Sequence, residues 1–389
     1  MCHILHKCYS NSLKDWFGSD KLRCMKDNAS SLCLREVDML FRGFTHRKIE
    51  LPTRLVMAPL PRLLSQNGVP TAEMLRYYLR RAQHMVGLII TEPVAVDDSA
   101  SAADAGMARF YGGAALRAWK GVCRAVHSTP CRIAPQLCHV GMLRPAQGDM
   151  PFSASPAIGP SGIDPLTGEQ RGESMSKTRI RSVVQAFASA AAAAKQIGFD
   201  AVEINGGQCC LIEQFLRAET NHRTDEYGGD QLGRTRFATE IIHAVRKAVG
   251  SHFPVIFRIS QHAAAAARLS PLVSNPSELE QLLMPLRDAG VDIFACSGTS
   301  VDTPVFPGSA LTLAGWVRRI TGLPVITEGG VGSELRELDA LLQRFRMNEF
   351  DLLAVGRALL ADAEWGSKVH MADERFIRPY TRRAWGRLF

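Results

Sequence analysis

DAVEINGGQCCLIEQFLRAETNHRTDEYGGD, residues 200–230, is the stretch that decides the fold. Residues 201–204 form a short apolar run of the kind a buried strand needs. The run ends in a polar, glycine-bearing turn, Asn205-Gly206-Gly207-Gln208. An apolar segment follows, then a charged loop closed by Gly228-Gly229. In α/β barrels the chemistry sits on polar residues just past the C-terminal ends of the strands. This turn is therefore the first place to look for function.

Working outward, short apolar runs alternate with alanine-rich or charged helical stretches from about residue 39. Strands are expected at 54–58, 87–91, 132–137, 201–204, 255–259, 292–296, 324–327 and 352–355. Helices are expected at 71–84, 116–127, 182–197, 232–249, 277–289, 311–321 and 334–345. Eight alternations imply parallel strands with right-handed crossovers, closed into a (β/α)8 TIM barrel. An open doubly wound sheet would want a glycine-rich phosphate turn after the first strand. Here that turn reads APLPRL, residues 58–63, without glycine. The alanine run 190–194 reads as close helix packing against the barrel. The run 263–267 reads as a short helix after strand five.

The barrel is expected to occupy 39–375 as a single domain, with an N-terminal extension at 1–38 and a tail at 376–389. The extension carries Cys2, Cys8, Cys24, Cys33, His3 and His6 but no strand or helix period. Its spacings match none of the compact zinc patterns, so no metal is expected. It reads as an irregular segment or as translated sequence upstream of the true start. Among 389 residues, 46% hydrophobic content suits a globular core, and the net charge of +8 is scattered. No Lys/Arg-rich block with interleaved aromatics marks a nucleic-acid surface. No apolar run approaches the roughly 18 residues of a membrane span, and the N-terminus lacks a signal-peptide core. A soluble, cytoplasmic protein with ten reduced cysteines is expected.

Two loops point to an anion. Glu328-Gly329-Gly330-Val331-Gly332 follows the seventh strand and Gly356-Arg357 follows the eighth. Barrels bind phosphate with the loops at these two positions, where backbone N–H groups face the ligand and arginine adds a charge-assisted fork. Other nucleophile or phosphate signatures are absent: there is no Gly-x-Ser-x-Gly, His-Glu-x-x-His or Gly-x-x-x-x-Gly-Lys.

VMAPLPR (56–62), YYLRRA (77–82), GLIITEP (87–93), IAPQLCHVG (133–141), the 200–230 block and VGRALLAD (355–362) stand in a telling order. Together they resemble successive blocks of the old yellow enzyme family, the flavin-dependent ene-reductases, over roughly residues 40–370. The resemblance implies FMN at the C-terminal mouth, with Pro59, Leu60, Pro61, Pro93, Gln136, Asn205 and Arg258 around the ring. Gly329, Gly330, Gly356 and Arg357 would serve the phosphate. It also implies NAD(P)H as a transient reductant and an enone or cyclic unsaturated carbonyl as substrate. Relatives are often dimers, so a homodimer is among the implied assemblies. Bottom-up, an amide such as Gln136 can pair with a flavin's pyrimidine edge, and the Arg258 guanidinium can stabilise charge on the reduced ring.

The reacting positions depart from the family pattern. The family turn carries His, then Asn or His, then Tyr; here Asn205, Gln208 and Cys210 hold those places and are the candidate catalytic residues. Two neutral amides can still donate to a developing oxyanion, with weaker polarisation than a cation. Cys210 is either a proton source or an inert small hydrophobe, and Cys209 is read as core. Pro61 replaces a donor-bearing residue and has no N–H, so a lowered flavin potential is expected. Cys138 stands where Trp is common, which suggests a roomier cavity. His139 and Tyr111 are further proton carriers to consider, and the Arg223–Asp225–Tyr227 loop reads as scaffold. Ene reduction is the leading expectation. An FMN-dependent dehydrogenation or redox-neutral isomerisation stays open, as does a flavin-binding barrel without turnover.

Overall fold

The computed structural model describes residues 37–47, 49–145, 155–262, 268–298, 303–330, 337–371 and 373–386. The N-terminal extension up to residue 36 and the 263–267 alanine run fall outside these residues. A hairpin, β1 (Phe44–His46) and β2 (Ile49–Leu51), comes first. Barrel strands β3 (Leu55–Met57), β4 (Leu88–Ala95) and β5 (Arg132–Cys138) follow, and a small parallel pair, β6 (Ile158–Gly159) and β7 (Glu173–Ser174), lies beyond them. The barrel resumes with β8 (Val202–Asn205), β9 (Val255–Ser260), β10 (Ile293–Ser297), β11 (Val325–Glu328) and β12 (Leu352–Val355). These eight parallel strands pair in chain order and close between β12 and β3. The fold is a (β/α)8 barrel.

Seven helices sit between strands at the expected places: α1 (Ala72–Ala82), α2 (Gly113–Val126), α3 (Lys177–Ile197), then, after the short α4 (Leu211–Leu216), α5 (Gln231–Val249), α6 (Pro276–Asp288), α7 (Leu313–Thr321) and α8 (Glu337–Arg346). Local chemistry sets their starts. Thr71, Ser176, Asp230 and Asn275 each accept a first-turn N–H, and Pro276 follows Asn275 at the first position of α6. The Ser176 cap explains why α3 begins five residues before the expected 182. Ala190, Ala191 and Ala194 are buried along α3, where small side chains let it lie close to α5. Two short helices, α9 (Arg357–Ala361) and α10 (Trp365–His370), finish the barrel. Among the described residues no helix is long and apolar enough to cross a membrane.

The core has two layers. Side chains such as Ile89, Ile133, Val202, Phe257 and Phe294 face outward and pack under the helices. Val56, Leu88, Ile90, Ala134, Ile256, Ile293, Ile326 and Leu352 face inward and form one cluster with Phe44, Ile49 and Leu51 of the hairpin. The hairpin thus stoppers the N-terminal end of the barrel, which the sequence pattern did not reveal. At the other end β4 runs four residues past its expected end. Its pairing with β5 steps from Ile90↔Ala134 to Pro93↔Gln136, so β4 carries one extra residue, a bulge.

Candidate active site

The inward rows change character toward the C-terminal mouth. Along β5 the inward positions run Ala134, Gln136, Cys138; along β8, Ala201, Glu203, Asn205; along β9, Ile256, Arg258, Ser260. β10 ends in Ser297 and β11 in Glu328, which are register partners. Period two, continued past the apolar layer, therefore delivers a ring of polar side chains to one end. Above them lies a cavity that opens at the C-terminal mouth. Pro59, Pro61, Pro93 and Met107 give it apolar walls, and Gln136, Asn205, Gln208, Cys210, Arg258 and Glu328 supply most of its polarity.

Arg258 anchors the floor. It is 2% exposed, and its Nε donates to Glu203 Oε1 at 2.8 Å while Nη1 donates to Glu328 Oε2. Burial works against its charge, but the two carboxylates outweigh it and hold the guanidinium pKa above the usual arginine range. Glu203 is fully buried, and its Oε1 also accepts from Gln136 Nε2 at 2.6 Å. Gln136 is thereby oriented with its amide oxygen left to accept.

The 205–210 turn is built tightly. Asn205 Oδ1 accepts from Gly207 N at 3.1 Å, an Asx-type turn. Gln208 and Cys209 both take φ of +59°, the left-handed region. Glu213 Oε2 accepts from Cys209 N at 2.7 Å, and Gln214 Nε2 donates to Cys209 O at 2.7 Å, so α4 holds this strained backbone in place. Gln208 Nε2 donates to Ser297 Oγ at 3.0 Å across the mouth. Asn205 Nδ2 lies 3.6 Å from Cys138 Sγ and 3.5 Å from Cys210 Sγ. Contact with Cys138, together with burial, pushes the Cys210 thiol well up. Cys209 is buried beside the mouth and does not line the cavity.

Glu92 is displaced from the inward row by the β4 bulge. Its Oε2 accepts from Arg62 N at 2.8 Å and Leu63 N at 2.9 Å, fixing the chain just after Pro61. Its Oε1 is buried with no hydrogen-bond partner among the described residues. Burial, only partly offset by those two N–H donors, raises the carboxyl pKa to about 7.

The structure brings Pro59, Pro61, Pro93, Gln136, Asn205, Gln208, Cys210 and Arg258 to one cavity. Leu60 instead packs in the core at 5% exposure. Gly329, Gly330, Gly356 and Arg357 follow the neighbouring strands β11 and β12 without lining it. Arg357 is exposed, with its guanidinium 5.9 Å from the Tyr380 ring centre. His139 is turned away: Nδ1 accepts from Gly141 N and Nε2 donates to Asp98. Arg223 pairs with Asp225 at 2.6 Å and donates to the carbonyls of Pro160 and Met175, tying the charged loop to the β6–β7 segment. Sequence reasoning missed Glu92, Glu203, Ser297 and Glu328. The available signal was a carboxylate inside or at the end of an apolar strand, which calls for a buried partner.

The donor set suits FMN in its chemistry. Flavins offer mixed donors and acceptors along the pyrimidine edge, and here an amide and a guanidinium stand at the floor of an apolar, proline-walled cavity. Glu328 is discordant, an anion on the arginine.

Comparison with known proteins agrees. The NADH:flavin oxidoreductase / NADH oxidase family profile matches residues 39–374. A metal reductase of Desulforamulus reducens is 31% identical over 88% of this chain and 50% of its own length. A NADH oxidase of Thermoanaerobacter brockii is 32% identical over 84% of this chain and 50% of its own. A NADPH dehydrogenase of Bacillus subtilis is 30% identical over 83% and 91%. The chain thus spans about half the length of the first two of these relatives. Morphinone reductase superposes with a TM-score of 0.76 at 24% identity, covering 89% of this chain and 92% of that one. The old yellow enzyme homologue of Zymomonas mobilis gives 0.74 at 22%, covering 89% and 96%. The chain belongs to the NADH:flavin oxidoreductase / NADH oxidase family, the FMN-dependent old yellow enzymes.

Proposed function

We propose that this barrel binds FMN at its C-terminal mouth and reduces the carbon–carbon double bond of an α,β-unsaturated carbonyl with electrons from NAD(P)H. The observation that carries this reading is the convergence of Gln136, Arg258, Asn205 and Gln208 on one proline-walled cavity. Gln136 and Arg258 would hold the pyrimidine edge of the ring, and Pro59, Pro61 and Pro93 would flank it. Leu60 would back the ring from the core. Gly329, Gly330, Gly356 and Arg357 would receive the phosphate at the ends of β11 and β12. Bound FMN, once reduced by NAD(P)H, supplies the hydride.

The protein's own contribution is to hold the carbonyl. Sulfur is a weak acceptor, so the Asn205 amide N–H now near Cys138 and Cys210 is available to an entering oxygen. Gln208 Nε2, resting on Ser297 Oγ, is the second donor. Both are neutral, so they steady a developing oxyanion by hydrogen bonding alone. Cys210 keeps its proton at neutral pH, which suits it to give a proton and not to attack as a thiolate.

The test is an absorbance spectrum of the purified protein before and after anaerobic NADPH, followed by cyclohexenone. A flavin band that NADPH bleaches and the enone restores supports the reading. A bleached band that the enone cannot restore rejects ene reduction. No flavin, even after incubation with FMN, rejects the cofactor assignment here as well.

A further inference from the structure

The Arg258 guanidinium sits between two carboxylates. Glu203 takes its Nε and Nη2, at 2.8 and 3.3 Å, from the β8 side, and Glu328 takes its Nη1 from the β11 side. Glu203 has a second task, orienting Gln136. Glu328 has none: besides its backbone pairing with β10 and β12, its carboxylate meets Arg258 alone among the described residues, and it lines the cavity. The cluster of one cation and two anions is net negative where the floor meets a ligand. A single ion pair with Glu203 would leave that floor neutral and Nη1 free to point at the ligand.

We propose that Glu328 is a positioning residue that withholds Arg258 from a bound flavin and thereby makes the reduced cofactor a stronger hydride donor. The inference rests on the FMN reading above and deepens it. Two-electron reduction puts negative charge on the pyrimidine side of a flavin, and a nearby cation stabilises that charge. Glu328 cancels the cation at short range in a water-poor site, where charges act strongly on each other. Pro61 acts in the same direction by removing a donor. The consequence for substrate class is direct. A strongly donating flavin favours reduction of electron-poor alkenes and disfavours dehydrogenation of saturated ketones.

The experiment compares flavin-loaded wild type with Glu328→Gln and Glu328→Asp, using equilibration with a reference dye and titration with sulfite. Sulfite forms an anionic flavin adduct and so reports the same charge without turnover. Glu328→Gln is expected to raise the reduced-to-oxidised ratio at fixed dye poise about tenfold, which is about 30 mV for a two-electron couple. Sulfite should bind about tenfold more tightly, by the same release of Arg258. Glu328→Asp, which keeps the charge, should stay near wild type on both. An unchanged or lowered ratio in a Glu328→Gln protein that retains flavin overturns this inference and leaves the FMN reading standing. Wild type that holds no flavin overturns both.

Discussion

Cys138 and Cys210, 72 residues apart in sequence, bring their sulfur atoms to 3.4 Å of each other at the wall of the cavity. Both are buried, and Cys210 carries a thiol whose pKa is pushed up by Cys138 and by desolvation. Thiolates alkylate and thiols scarcely do. Iodoacetamide at pH 8 should therefore label Cys210 at least about 100-fold more slowly in the native protein than in urea, as read by peptide mass spectrometry. Equal rates would show that the pair is open and acidic.

Under the proposed reading, Asn205 and Gln208 hold the substrate carbonyl from the lining of the cavity. Loss of one preorganised donor to an oxyanion costs about 100-fold or more in enzymes with strong holes. With two neutral amides sharing the task, Asn205→Ala and Gln208→Ala should each lower kcat/KM for cyclohexenone by about 10- to 100-fold. Flavin content should hold in the Gln208 variant. Unchanged kcat/KM in both would remove these residues from the mechanism.

Removing Glu203 should be costly to the fold. It leaves Gln136 without its acceptor and Arg258 with only Glu328, in a fully buried setting. Breaking such a pair typically costs about 3–5 kcal/mol. Glu203→Ala should lower the urea midpoint accordingly with an unchanged slope.

Glu92 makes stability depend on pH. Burial lifts its folded pKa to about 7, above the ordinary glutamate value of 4.5. The proton is held more tightly in the fold, so its stabilisation is complete below pH 4.5 and is lost as pH rises to about 7. The full effect is at most about 3 kcal/mol, at 1.36 per pKa unit. Glu92→Gln keeps an acceptor for the Arg62 and Leu63 N–H groups without the titration. Wild type should therefore lose stability relative to Glu92→Gln between these pH values, followed by urea midpoints. A constant difference would mean the carboxyl titrates normally.

Gly206 has no room for a side chain. A Cβ there would lie 2.3 Å from the Phe257 ring and 2.7 Å from Arg258 O. Gly206→Ala should cost about 1–3 kcal/mol through overpacking. It should also loosen flavin retention, since the displaced strand is the one that carries Arg258.

The barrel was legible because its eight strands are short apolar runs separated by helical stretches; the caps Thr71, Asp230 and Asn275 that fix the helix starts emerged only in the structure. The extra length of β4 was not legible, since a bulge is set by pairing with β5 and Ile-Thr-Glu-Pro has no period of its own. Asn205, Gln208 and Cys210 were found through their place after a strand and through family likeness. Glu203 and Glu328 were not, because their meaning lies in Arg258, which is 55 and 70 residues away. Charge pairing across a barrel leaves no trace in local spacing.

The hairpin of Phe44–His46 and Ile49–Leu51, wedged into the inner layer, has a kinetic corollary. With the base stoppered by the hairpin, the C-terminal mouth is where a nicotinamide and an enone would both dock under the proposed reading. They must visit it in alternation, each leaving before the other arrives. Initial-rate plots at several enone concentrations should then give parallel double-reciprocal lines, with each reactant inhibiting the other at excess.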